Sequence, residues 1–393
     1  MAVTLQAIFQ KCFDSFSQTH RLSQHQRKAA RSIMQCRTSA LGGHIQKCPN
    51  GHVEGVWYNS CGHRSCPQCG HLPKERWLEK QKARLLGCDH YHAILTVAHE
   101  FHQFWWLNTR LMVEVLFQSA RDTLFELLQD DEYLGALPGV IISLHTWGRP
   151  MGLHLHVHCL VTGGGLSVGG QWTPVRNGFL LPGQVVRDLF RGKFIAGMRK
   201  ALRRGKLVLP DGMRPQQVEN LFNKLGCKKW NVCIKERYSH GRGVVTYLAR
   251  YVKGGPISSQ RFSCADESSV TFRYRDHRDG KVKPMTLTGE EFLERVLWHV
   301  PEKGLQVVRH YGLYGRSGRK LRDQCRAQLG QLPEEKPTTL DLQGYWEKTG
   351  NREKLCCPVC GERLIRGDEI PRGGSPPDEQ SRSFGKAQDR QAA

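Results

Sequence analysis

No apolar run in this chain reaches the roughly 20 residues that a membrane-spanning helix needs, and its first residues lack a charged-then-apolar leader pattern. The first absence argues against a membrane protein. The second gives the expectation of a cytoplasmic one. Acidic residues are also few: 36 Asp and Glu stand against 58 Lys and Arg, a formal charge of +22 over 393 residues. The excess is spread over many segments and interleaved with aromatics, which points to a long polyanion as partner. Even cysteine spacing is missing too. Of fifteen cysteines, four fall within Cys48–Cys69 and three within Cys356–Cys360, so metal ligands in a reducing compartment fit better than a secreted disulfide scaffold.

The length suits two or three domains with at least one substantial core. Met1 to Ser17 reads as a short amphipathic helix, and a basic helical stretch follows through residue 40. Residues 89–98 read as a strand and 101–129 as a helix. Residues 137–147 and 153–162 are two β-rich runs around Gly148-Arg-Pro-Met-Gly152, a hairpin signal, with Gly163-Gly-Gly165 expected to end the second strand. Residues 182–204 and 243–252 read as helices, 231–236 as a strand, and 270–274 with 282–287 as a second hairpin. Thr288 with Glu291 three residues on predicts a capped helix start. From residue 371 onward apolar residues nearly vanish, and a disordered tail is expected.

The most informative string is His154-Leu-His156-Val-His158. Strand residues two apart share a face at about 6.6 Å, so the outer pair of this trio is roughly 13 Å apart and cannot share one ion. One adjacent pair, His154/His156 or His156/His158, is the ligand set, and a third ligand must come from elsewhere. His145 is the natural candidate. A symmetric turn about Pro150 would set Leu155 opposite it, and a bulge would bring His156 there instead.

Tyr247-Leu-Ala-Arg-Tyr251 follows. At i and i+4 of a helix the two phenols share a face, with Arg250 between them able to meet phosphate. A free phenol titrates near ~10, so it becomes a useful nucleophile at neutral pH only beside a divalent cation or an Arg. Two aromatics at this spacing are more often core packing, so the pair gains weight only beside the histidines.

Cys66-Pro-Gln-Cys69 is a knuckle for tetrahedral zinc. Cys48, His52 and Cys61 are candidates for the remaining seats, more than one ion can use. Cys357-Pro-Val-Cys360 looks like half of a zinc ribbon whose other half is missing from the tail. One zinc is the expectation here.

In their order, these motifs resemble the IS91-type transposases, which carry an N-terminal zinc-binding region before a rolling-circle transposition domain. The resemblance runs from about residue 10 to about 361. Besides the strings above it rests on Asn59-Ser-Cys61, Leu144-His-Thr-Trp-Gly148, Gly254-Gly-Pro-Ile-Ser258, Phe272-Arg-Tyr274, His299-Val-Pro301 and Arg309-His-Tyr-Gly-Leu-Tyr314. Two departures are Cys48-Pro-Asn-Gly-His52 in place of a Cys-x-x-Cys knuckle, and Leu155 where Pro is common.

The resemblance implies an α+β fold: an antiparallel-sheet HUH endonuclease core flanked by helices, with a small zinc-binding domain before it. The division it suggests is 1–40 basic helical, 41–88 zinc-binding, 89–315 catalytic, 316–370 a basic C-terminal region, and 371–393 the tail. It places the metal-binding histidine pair on His156 and His158 and the nucleophiles on Tyr247 and Tyr251, while His145, with His154 as its alternative, stays the candidate for the third ligand. Mg²⁺ or Mn²⁺ is the implied catalytic ion and Zn²⁺ a structural one. Arg250, Lys253, Arg316, Arg319, Lys320 and Arg322 are the residues expected to grip DNA phosphates. The implied activity is nicking and rejoining single-stranded DNA at element ends and target through 5′-phosphotyrosine links, at the bacterial nucleoid. The alternatives are a rolling-circle replication initiator and a zinc-dependent DNA-binding regulator without catalysis.

Overall fold

In the computed structural model, described for residues 3–238, 241–252, 255–266, 269–276, 278–337 and 339–374, and for residues 236, 237, 242, 247 and 250–252 as backbone alone, the chain is α+β. The expected disordered tail lies outside the described residues from position 375 on. Two helices, α1 (Leu5–Thr19) and α2 (Gln24–Gln35), lead into strands β1 (Gly43–Lys47) and β2 (Glu54–Tyr58). Next come α3 (His71–Arg84), β3 (His90–Thr96), the long α4 (His102–Gln129), β4 (Leu137–Trp147), β5 (Leu153–Leu166) and β6 (Trp172–Pro174). The second half contains α5 (Gly183–Arg203), α6 (Pro215–Cys227), β7 (Val232–Tyr238), α7 (Arg242–Val252), β8 (Phe262–Ala265), β9 (Ser269–Arg275) and β10 (Val282–Thr288). It closes with α8 (Gly289–Trp298), β11 (Val308–Gly312), α9 (Arg319–Gln328), α10 (Leu342–Lys348) and β12 (Ile365–Ile370).

The central sheet is antiparallel in the order β11-β4-β5-β3-β7, with β6 beside β5. Both of its faces are covered, so β4 and β5 are buried along nearly their whole length. One face, with Val140, Ile142, Val157 and Cys159, packs on α4 and α5. The other, with Ile141 and Leu160, packs on α3 and α7. The histidines lie on this second face, since Ile141 is in phase with His145 and Leu160 with His158.

Gly163-Gly-Gly165 does not end β5. A Cβ on Gly164 would sit 2.5 Å from the Trp172 ring, and one on Gly165 2.7 Å from the Leu137 carbonyl. The glycines mark close approach of neighbouring strands. Helix α6, which leads towards β7, buries Val218, Phe222 and Leu225 at helical spacing.

A second core joins α1 and α2 to α8 and to the sheet β10-β9-β8. The expected capping box opens α8, with Thr288 accepting from the Glu291 N–H. The third sheet, β12-β1-β2, pairs residues 365–370 with 43–47. The C-terminal segment therefore closes on the cysteine-rich N-terminal region instead of forming a separate unit.

Candidate functional site

The hairpin β4–β5 decides what the histidines can do. Trp147 pairs with Leu153, but His145 pairs with His156, so one residue is bulged between the two rungs. The bulge turns His145 onto the face of His156 and His158. The turn below it is held from afar: His299, at the end of α8, pairs through Nε2 with the Met151 carbonyl (2.9 Å) and through Nδ1 with the Thr146 hydroxyl (3.0 Å). Met151 sits at φ +62°, a conformation that costs a non-glycine residue and needs such a brace.

Ligand-capable nitrogens of His145, His156 and His158 all lie within 4.8 Å of one another. Their exposures are 1%, 8% and 3%. Burial pushes His156 down to about 4, His158 to about 2 and His145 well below its ordinary value, with neighbouring imidazoles adding to each shift. Near neutral pH all three rings are uncharged, the form in which imidazole ligates a cation. His154 is exposed and outside the group, although its carbonyl meets His156 Nδ1 at 2.8 Å. Nδ1 of His158 meets Nε2 of His92, on β3, at 2.6 Å. His92 is a buried neighbour that the sequence reading passed over. Its signal was the period-two string His90-Tyr-His92 one strand away.

Helix α7 rests on this same face. Val244, Val245, Leu248 and Ala249 are buried against Ile141 and Leu160. Gly241, just before it, lies so close to the His90 ring that a Cβ would stand 2.9 Å away, and Gly255, at φ +72°, approaches the Ser65 carbonyl. Tyr247 and Tyr251 both belong to the α7 backbone, one turn apart. Their side chains and that of Arg250, and Lys253 altogether, lie outside the described residues.

The cysteines divide differently from the expectation. Cys61, Cys66 and Cys69 join Cys36, the C-cap of α2, in one four-sulfur group. The Cys61 and Cys69 sulfurs are 3.6 Å apart, and a tetrahedral zinc with bonds of about 2.3 Å requires sulfurs about 3.8 Å apart. Hydrogen bonding with the other three sulfurs pulls the Cys69 thiol far below its ordinary value. Cys48 and His52, expected here, are in a second group with Cys357 and Cys360. Cys36 escaped notice because it stands alone at a helix end, where a small buried apolar residue is the ordinary reading.

Of the basic residues, Arg316, Arg319 and Lys320 are exposed. Arg322 is not: its guanidinium is buried on the Leu313 carbonyl (2.7 Å) and the Glu334 carboxylate (2.8 Å), so it holds the fold and cannot reach phosphate. A cavity of about 410 Å³ opens between the N-terminal helices and the end of the central sheet, with Trp105, Trp106, Trp147, Trp298, Arg21 and Arg64 in its wall. The Trp147 ring lies nearly parallel to that of His145, 6.1 Å away, so the cavity adjoins the histidine group.

A family model described as "Transposase zinc-binding domain" matches residues 8–97, and one described as "Putative transposase" matches residues 139–321. The chain is 34% identical to "Putative transposase y4qJ" of Sinorhizobium fredii (strain NBRC 101917 / NGR234), over 90% of this chain and 92% of that protein. It is 28% identical to "Transposase for insertion sequence element IS801" of Pseudomonas savastanoi pv. phaseolicola, over 85% of this chain and 81% of that one. No solved structure matches. No helix among the described residues is long and apolar enough to cross a membrane.

Proposed function

Since the chain belongs to the IS91-type transposases and carries their N-terminal zinc-binding domain, we propose that it cuts and rejoins single-stranded DNA at element ends through tyrosine–DNA links. The observation that carries this reading is the packing of α7, the helix of Tyr247 and Tyr251, on the sheet face that holds His145, His156 and His158.

The donor set fits a divalent cation such as Mg²⁺ or Mn²⁺: three neutral, buried imidazoles with clustered nitrogens. Bound there, the ion would act as Lewis acid on the scissile phosphate and as positioner. His156 directs Nδ1–H to the His154 carbonyl, which leaves its Nε2 for the cation, and with a cation on Nε2 of His158 the Nδ1–H of that ring would donate to Nε2 of His92. His92 is thereby a positioning residue.

One tyrosine oxygen attacks phosphorus. The bond from phosphorus to O3′ breaks, the phenol proton passes to solvent, and the departing 3′ oxygen takes up a proton. The products are a 5′-phosphotyrosine and a free 3′-OH. The second tyrosine cuts another strand in the same way. A 3′-OH so freed then attacks the first phosphotyrosine, breaking its bond from phosphorus to the tyrosine oxygen, which takes up a proton. Each step exchanges one phosphodiester for another, so no outside energy source is needed. Cys36, Cys61, Cys66 and Cys69 hold a structural zinc. Exposed Arg316, Arg319 and Lys320, with Arg250 and Lys253, meet backbone phosphates. The tryptophan-lined cavity supports single-stranded substrate, because only unpaired bases can stack on such walls.

The test is a denaturing gel of labelled single-stranded oligonucleotides carrying element ends, with Mn²⁺ or chelator, beside Tyr247→Phe, Tyr251→Phe and the double variant. Metal-dependent nicks with a covalent protein–DNA band, lost in the double variant, are expected. Binding to the same ends with no covalent band would favour a regulator.

A further inference from the structure

We infer that Cys48, His52, Cys357 and Cys360 form a second zinc site, one that clasps the C-terminal segment onto the N-terminal region. Two of the four donors, Cys357 and Cys360, lie beyond the residues matched by either family model, which end at 97 and 321.

The donors come from segments far apart in sequence yet lie within 4.8 Å of one another. The Cys48 sulfur is 3.5 Å from that of Cys360 and 3.6 Å from Nδ1 of His52. A tetrahedral zinc, with bonds of about 2.3 Å to sulfur and about 2.05 Å to nitrogen, sets these separations near 3.8 and 3.6 Å. A disulfide would need about 2.05 Å.

The two turns that supply the donors are built alike. Asn50 N–H donates to the Cys48 sulfur and Val359 N–H to the Cys357 sulfur, both at 3.4 Å and both two residues on. Cys48 N–H donates to the Val53 carbonyl and Cys357 N–H to the Glu362 carbonyl, both five residues on. Backbone N–H groups directed at sulfur favour its thiolate, the ligand form. They are therefore two zinc knuckles facing each other, one with His52 where the other has Cys360.

Packing alone is a poor reason for this closure. The apolar cluster beneath it consists of Cys48, Cys357 and Leu364, with Val53 at its edge. So small a core needs a further tie to hold a three-stranded sheet. The clasp sits where β1 pairs with β12, from Gly43 opposite Ile370 to Lys47 opposite Ile365.

The test counts metal on the full chain purified under reducing conditions, and its outcome does not depend on nicking. Elemental analysis should find two zinc ions per chain. Cys357→Ser/Cys360→Ser should hold one, and so should Cys66→Ser/Cys69→Ser. In the first variant trypsin should cut at Arg352, Lys354 and Arg363 under conditions that spare the parent. Cys360→His, which keeps a donor, should retain both ions and the protection. Cobalt titration of the unmodified chain should saturate its thiolate absorption at two equivalents, a readout that needs no variant to fold. One zinc in the parent chain, two in Cys357→Ser/Cys360→Ser, or a Cys48–Cys360 disulfide in place of metal would overturn the clasp.

Discussion

Replacing His299 with Ala should damage a site that His299 never enters. The imidazole is buried, and its two nitrogens bridge Thr146 on β4 and the Met151 carbonyl in the β4–β5 turn. Because a carbonyl only accepts, Nε2 carries the proton and Nδ1 accepts from the Thr146 hydroxyl. Ala removes both bonds and leaves two polar atoms in the interior, each costing about 1–3 kcal/mol when unsatisfied. His299 also lines the cavity, so water can enter and repair part of that loss. The net expectation is about 3 kcal/mol, or roughly 6–12 °C in Tm for a domain of this size. Without the brace, Met151 has less reason to keep φ +62°, and the bulge that turns His145 inward relaxes. Mn²⁺ affinity, measured by calorimetry, should fall on the order of tenfold, the lower end for loss of a supporting shell. His299→Ala with parental Tm and parental Mn²⁺ affinity would refute the reasoning.

Acid should destabilise the chain before any carboxylate titrates. Burial holds His299 and His310 down to about 4, against about 6.5 unfolded. Their contribution is complete above pH 6.5 and falls by about 1.4 kcal/mol per pH unit per histidine as pH drops towards 4. Urea midpoints at pH 7 and pH 5 should therefore differ, and His310→Gln, which can still bond Gln81, should reduce that difference. Arg319→Ala/Lys320→Ala should weaken single-stranded DNA binding and lower its salt slope by about 0.7 per lost phosphate contact. Arg322→Ala should leave that slope unchanged and lower Tm, because its partners are Leu313 and Glu334. Trp106→Ala and Trp298→Ala should each weaken binding of a dT oligonucleotide by about 1–3 kcal/mol, read by anisotropy in chelator, while an abasic strand should not discriminate them from the parent.

The part of the site that was legible in the sequence is the part written in local spacing. Period two in His156-Val-His158 and one helical turn between Tyr247 and Tyr251 are properties of short segments. The face that His145 would present was not legible, because a single bulged residue sets it and the residue bracing that bulge lies about 150 positions away. The cysteine knuckles were readable, but their partnerships were not. Cys36 and the pair Cys357/Cys360 reach their groups only through the tertiary fold. Arg322 misled for a related reason. In the run Arg316-Ser-Gly-Arg-Lys-Leu-Arg322 every cation looks solvated, yet helical phase turns Arg322 inward with Cys325 and Arg326.

The most direct test of the central claim is to trap the protein–DNA adduct on an oligonucleotide, digest it with trypsin, and identify the DNA-linked peptide by mass spectrometry. Cleavage after Arg242, Arg250 and Lys253 separates the two tyrosines, so residues 243–250 report Tyr247 and residues 251–253 report Tyr251. The account predicts the nucleotide on one or both of these peptides, in Mn²⁺ and not in chelator, and absent from His156→Ala. An adduct on any other peptide, or metal-dependent nicking that leaves both peptides unmodified, would contradict it.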